Sequence, residues 1–102
     1  MSTLESDLVD RVLRSKMQAE RQNRADWYYI IRNDQGIQIS STSISKGSKE
    51  TLRASRIRDM ARQLGLDTSQ QFIDLIKCSL SREDALKIMQ KNRPPGTPRY
   101  QD

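Results

Sequence analysis

DWYYIIRNDQGIQISSTSIS, residues 26–45, decides the fold of this 102-residue chain. Aromatic and β-branched residues fill its first part, and Ile37 and Ile39 alternate with polar residues in its second part. Both patterns are typical of β-strands. Between them lies NDQG, whose Asn, Asp and Gly residues favour a tight reversal. We therefore predict a β-hairpin from Asp26 to about Ile44, packed against helices because an isolated hairpin is only marginally stable in water.

Helical periodicity flanks the hairpin on both sides. Before it, LESDLVDRVLRSKMQAERQ places apolar residues at helical spacing up to Met17 and then continues as a polar extension. After it, we predict a helix from about Lys49 to Leu64, ended by Gly65, and then two more helices, the first capped by Asp67, Thr68 or Ser69. The predicted fold is α+β: an N-terminal amphipathic helix, one β-hairpin, then three helices and an extended C-terminal tail.

We assign residues 1–92 to a single small domain and residues 93–102 to a mobile tail rich in proline. The tail region contains all three prolines of the chain and has no apolar period. Leu, Ile, Val and Phe together make up about a fifth of the sequence, which predicts a thin core. Because a small domain with a thin core buries little surface alone, we expect a homo-oligomer or a protein partner.

The composition argues against several classes of function. The chain has no histidine and one cysteine, Cys78, so it lacks the commonest general acid–base residue and cannot form an intrachain disulfide or an ordinary zinc site. It also has no glycine-rich phosphate loop. We therefore predict no enzymatic activity, no metal or other cofactor and no small-molecule substrate. No apolar run approaches the roughly 20 residues that span a bilayer, so we predict a cytoplasmic protein without a membrane partner.

Positive charge is concentrated in one predicted helix. The formal net charge is +5, and residues 49–64 hold five basic residues against two acidic ones. On a helical wheel, Arg58 and Arg62 share an exposed face, while Arg53 borders the apolar stripe. The free N–H groups at a helix start stabilise anions, and two lysines with a serine are predicted to surround this one.

The basic helix predicts nucleic-acid binding, to DNA or RNA, by a non-catalytic regulator or accessory protein that contacts the phosphate backbone. A basic protein with a sequence pI near 9.7 suits an anionic partner of this kind. The predicted contact residues span positions 46–62: Lys46, Ser48, Lys49, Arg53, Arg58 and Arg62.

The alternative is a protein-binding inhibitor, adaptor or assembly factor, of a kind that phages and mobile elements encode. It would use the amphipathic first helix and the aromatic hairpin, since Trp and Tyr are enriched at protein interfaces. The aromatic residues of the hairpin would also suit base stacking. The predicted interface residues are Leu4, Leu8, Val12, Trp27, Tyr28 and Tyr29.

Overall fold

The computed structural model describes residues 3–45 and 51–92. In these ranges the chain forms four helices and two antiparallel sheets, one of three strands and one of two, so the α+β class is confirmed. The elements in chain order are β1 (Leu4–Glu5), α1 (Ser6–Ser15), β2 (Glu20–Asn23), β3 (Trp27–Arg32), β4 (Gln38–Ile44), β5 (Thr51–Leu52), α2 (Ala54–Leu64), α3 (Ser69–Ile76) and α4 (Arg82–Asn92).

The predicted hairpin is present as β3 and β4, which pair antiparallel. Asn33 organises the turn between them, because its side-chain oxygen accepts hydrogen bonds from the N–H groups of Gln35 at 2.9 Å and Ile37 at 3.0 Å. Gly36 has a φ of +80°, in the left-handed region that glycine enters without a steric penalty. The Asn and Gly of NDQG therefore act as the sequence predicts.

The predicted order of one helix, one hairpin and three helices is wrong at two places, and the first follows α1. The segment beyond Ser15 is not a helical extension: Gln18 adopts a left-handed φ of 54°, and Glu20–Asn23 forms β2, which pairs antiparallel with β3. All four residues of β2 are polar, so no alternation of apolar residues marks the strand. The strand β2 forms because it pairs with β3. The resulting sheet has three strands in the order β2-β3-β4.

The second error precedes α2. The helix predicted from Lys49 begins at Ala54, because Thr51–Leu52 forms β5 and pairs with β1. Leu4 lies opposite Leu52 in this pair, and both side chains are buried. The local pattern around Leu52 fits a helix, but burial against a strand nearly 50 residues earlier in the sequence decides its conformation.

The hydrophobic core lies between the three-stranded sheet and the helices. Successive residues of β3 point to opposite faces, so Tyr29 and Ile31 contact the core while Tyr28 faces away. Every helix contributes buried side chains, among them Leu13 of α1 and Phe72 of α3. Full burial of such a side chain stabilises the fold by about 1.5–3 kcal/mol. The predicted tail, residues 93–102, lies outside the described residues.

Candidate functional site

The helix α2 is held by one face and presents the other to solvent. Ile57, Met60, Ala61 and Leu64 recur at helical spacing, and each is at most 3% exposed. Gly65 ends the helix with a φ of 88°, the left-handed cap that the sequence predicts. Because the apolar stripe fixes the helix to the core, its remaining side chains form an outward face.

Two hydrogen bonds to β4 fix the orientation of α2. The half-buried Arg56 donates through Nη2 to the backbone oxygen of Ser43. The hydroxyl of Thr42 donates to Oε1 of Gln63 at 2.6 Å. These contacts, at the first and last turns of the helix, hold its outward face in one direction relative to the sheet.

Three arginines on α2 and at its N-cap are exposed and make no ion pair with any described residue. They are Arg53, Arg58 and Arg62. Asp59 is close in sequence to two of them, but none of the ion pairs within residues 3–45 and 51–92 includes it. From Arg53 to Leu64 the chain has four arginines and one aspartate, a net charge of +3.

Four of the six described arginines outside residues 53–64 form ion pairs. Arg14 and Arg21 contact Asp10, Arg32 contacts Glu20, and Arg82 contacts Asp34. The other two, Arg11 and Arg24, form no ion pair within the described ranges, and Arg24 lies over the Tyr28 ring at 5.0 Å. The arginines of α2 and its N-cap differ in that three exposed ones without an ion pair are grouped on one element.

The arginines of α2 lie along two shallow clefts rather than in one cluster. The first cleft, at the start of α2, combines Arg53 and Arg56 with three hydroxyl residues: Ser45, Thr51 and Ser55. The second cleft lies between Arg58 and Arg62 of α2 and the start of α3. At about 1.5 Å of rise per residue, roughly 13 Å of helix separates Arg53 from Arg62.

Among the described lining residues, only those of the second cleft include a carboxylate, so the two described linings differ in charge. Asp67 lies at its rim, 2.6 Å from Nδ2 of Asn92 and 3.6 Å from Nζ of Lys91. The hydrogen bond from Asn92, reinforced by the Lys91 ammonium, lowers the pKa of Asp67. The carboxyl group is therefore ionised at neutral pH and reduces the positive potential there. The described lining of the first cleft has basic and hydroxyl groups but no acidic group.

Three of the predicted phosphate contacts lie outside the described residues: Lys46, Ser48 and Lys49. These three residues were predicted to surround the start of the helix, but the N-cap of α2 is Arg53 and not Ser48. No side chain caps the start of α2. The positive end of the helix dipole therefore adjoins Arg53.

The six residues predicted for a protein interface divide between core and surface. Three are buried in the hydrophobic core: Leu4, Val12 and Tyr29. The other three are half-buried: Leu8, Trp27 and Tyr28. A guanidinium group lies over each of the two half-buried rings. The Cζ atom of Arg21 is 4.3 Å from the centre of the Trp27 ring, and the Cζ atom of Arg24 is 5.0 Å from the centre of the Tyr28 ring.

A polar network around Asp10, which was not predicted, joins α1 to the sheet. Its Oδ1 accepts hydrogen bonds from the Tyr29 hydroxyl at 2.6 Å and from Arg21 at 3.0 Å, and its Oδ2 accepts one from Arg14 at 2.7 Å. Burial raises the pKa of Asp10, but the hydrogen bonds outweigh it and the pKa is lowered. Burial and the bond to Asp10 raise the pKa of Tyr29, which stays a protonated donor. Only the i, i+4 spacing of Asp10 and Arg14 is visible in sequence.

The described ranges contain no group of three or more Cys, Asp, Glu or His residues placed to hold a metal ion. None of the helices within those ranges is long and apolar enough to cross a membrane. Comparison of the chain with protein-family models, with curated proteins and with solved structures finds no match.

Proposed function

We propose that this protein is a non-catalytic nucleic-acid-binding regulator or accessory protein that uses the exposed face of α2 to contact phosphates. The observation that carries the proposal is that Arg53, Arg58 and Arg62 are exposed and make no ion pair within the described structure. A guanidinium group without a carboxylate partner keeps its five N–H donors available to phosphate oxygens. We keep the predicted cytoplasmic location as part of the proposal.

Phosphate neutralisation makes a quantitative prediction because it releases counterions. Affinity for duplex DNA falls with salt concentration on logarithmic axes, with a slope of about −0.9 for each phosphate contacted. The three arginines, together with Lys46 and Lys49, would give a slope of about −4.5. Each arginine removed should bring the slope about 0.9 closer to zero.

The test replaces Arg58 and Arg62 with glutamine together and measures fluorescence anisotropy of labelled duplex and single-stranded probes over a range of salt. We expect the slope for the tightest probe to fall in magnitude by about 1.8, and the affinity at 0.1 M salt to fall by about 60-fold. Both side chains are exposed, so the free energy of unfolding should change by less than about 0.5 kcal/mol.

The matched control replaces Arg11 and Lys87 with glutamine, which lowers the net charge by the same amount from exposed positions outside α2. Its salt slope should equal that of the unmodified protein, and its affinity should stay within about twofold. Equal losses in both double variants would show that net charge, and not the face of α2, governs binding. Failure of the unmodified protein to bind any probe would refute the proposal itself.

The protein-binding alternative has less exposed apolar surface to support it than the sequence suggests. Three of its six predicted residues are core side chains. Among the described residues, Ile37 is the exposed large hydrophobic side chain, at 41%. Single exposed apolar residues are ordinary on protein surfaces. Self-association and a protein partner stay predictions, and we do not propose them as the function.

A further inference from the structure

The described aromatic rings are poorly placed to stack on bases. Phe72 is fully buried and Tyr29 is 1% exposed. Trp27 packs against the core and lies beneath the guanidinium group of Arg21, while Arg24 covers one face of Tyr28. Tyr100 lies outside the described residues.

Covered rings weaken the case for a single-stranded ligand. Proteins that bind single strands without base readout rely on stacking, which contributes about 1–3 kcal/mol per base. A flexible strand also loses conformational freedom when it is ordered. Without stacking to offset that loss, phosphate contacts alone must hold the strand.

The backbone positions of the arginines on α2 are fixed relative to one another. Arg58 and Arg62 are one helical turn apart, and Arg53 lies roughly 13 Å along the axis from Arg62. Hydrogen bonds to β4 hold the helix at both ends, through Arg56 and Gln63. Arginines that extend from fixed backbone positions suit a ligand whose phosphates are also fixed, and a duplex presents about one charge per 1.7 Å of its axis.

The outward face of α2 has few groups suited to reading base edges. Apart from arginines, its exposed side chains beyond the N-terminal turn are Asp59 and Gln63. The side-chain oxygen of Gln63 accepts the hydrogen bond from Thr42. Arginine fixed on a helix can contact guanine, but discrimination between sequences usually needs several different side chains at base edges.

We propose that the ligand of α2 is the phosphate backbone of a nucleic-acid duplex, bound without base stacking and with little preference for sequence. This inference rests on the proposed function, since it names the class of nucleic acid that the same arginines contact. Its basis is the combination of aromatic rings that are buried or lie against a guanidinium group with exposed arginines that form no ion pair and extend from a helix held to the sheet.

The test measures anisotropy at 0.1 M salt with four labelled probes of about 20 nucleotides per strand: duplex DNA, duplex RNA, oligo-dT and oligo-U. Phosphate contacts by the three exposed arginines give salt slopes of about −2.7 on a duplex and about −2.1 on a single strand, which predicts about fourfold tighter binding to a duplex at this salt concentration. Two duplexes of unrelated sequence should bind within about threefold of each other.

Each outcome bears on a different claim. Tighter binding to either duplex supports the inference, and the difference between duplex DNA and duplex RNA identifies which backbone is bound. Binding of oligo-dT or oligo-U as tight as that of both duplexes would overturn the inference while leaving nucleic-acid binding intact. Tyr100→Ala should leave duplex affinity unchanged, and a loss specific to the single strands would show that they stack on this ring. Binding to none of the probes would refute the proposed function as well.

Discussion

Replacement of Lys16 by methionine should destabilise the fold more than any comparable change at an exposed lysine. The Lys16 ammonium donates to the carbonyl oxygen of Leu75 at 3.0 Å and to that of Leu80 at 2.6 Å. Leu75 lies in the last turn of α3, where carbonyl groups lack partners within the helix and form the negative end of its dipole. A side chain from the end of α1 therefore closes the end of α3 and the turn that follows it.

The magnitude follows from the two hydrogen bonds. A hydrogen bond that involves a charged group contributes about 1.5–3 kcal/mol. Lys16 is half-buried, so water replaces part of the lost interaction, and we expect Lys16→Met to lower the free energy of unfolding by about 2–3 kcal/mol. For a domain of this size that corresponds to a melting temperature lower by about 10–20 °C.

Urea unfolding followed by circular dichroism measures the change. The midpoint of Lys16→Met should fall by about 1–2 M without a change in the slope of the transition. Lys87→Met is the matched control, because it makes the same chemical change at an exposed position of α4 and should alter stability by less than about 0.5 kcal/mol. Equal midpoints for the two variants would refute the argument that Lys16 holds α1 to the end of α3.

Two further predictions concern the polar network around Asp10 and the C-terminal cap of α2 at Gly65. Because the folded state lowers the pKa of Asp10, its stabilisation is present above the ordinary carboxyl pKa of about 4 and is lost as the pH falls through the folded value. Asp10→Asn should therefore destabilise the protein at pH 7 but much less near pH 2 by urea unfolding, and a deficit that does not vary with pH would contradict the network. Gly65→Ala should cost about 1–2 kcal/mol because the φ of 88° strains any residue with a Cβ, whereas Ser55→Ala should change little, and equal thermal midpoints for the two variants would argue against the left-handed cap.

The elements that sequence predicts correctly are those whose signals are local. NDQG contains both the Asn side chain that bonds to the turn and the glycine that adopts a positive φ, so the β3–β4 hairpin follows from four residues. The end of α2 at Gly65 and the cap of α3 at Thr68 are local for the same reason. In each case the residue that stabilises the feature in the structure is also the residue that identifies it in the sequence.

The elements that sequence misses depend on pairing across distance. Glu20–Asn23 is polar throughout and becomes a strand only because β3 lies beside it. Thr51–Leu52 continues a helical pattern but pairs with Leu4–Glu5. Local propensity is weaker than a ladder of backbone hydrogen bonds and the burial of Leu52, so the pattern alone places these segments in the wrong element.

The candidate site also has features that the local sequence predicts and features that depend on tertiary structure. The helical wheel places Arg58 and Arg62 away from the apolar stripe, and both are exposed. The separation of the arginines into two clefts depends on the start of α3 and on the end of β4, which the wheel does not contain. What these arginines bind stays a prediction, with the salt dependence of the glutamine variants as its test.

The short β1–β5 pair has a practical consequence for how this protein is handled. Leu4 and Glu5 pair with the two residues that precede the N-cap of α2, so the β1–β5 pair anchors the segment that leads into this helix. We therefore expect a purification tag, a cleavage scar or a small deletion next to Leu4 to affect the start of α2, although the two segments are remote in sequence. Preparations that differ only at this end should be compared for ligand affinity before any loss is attributed to a substitution on α2.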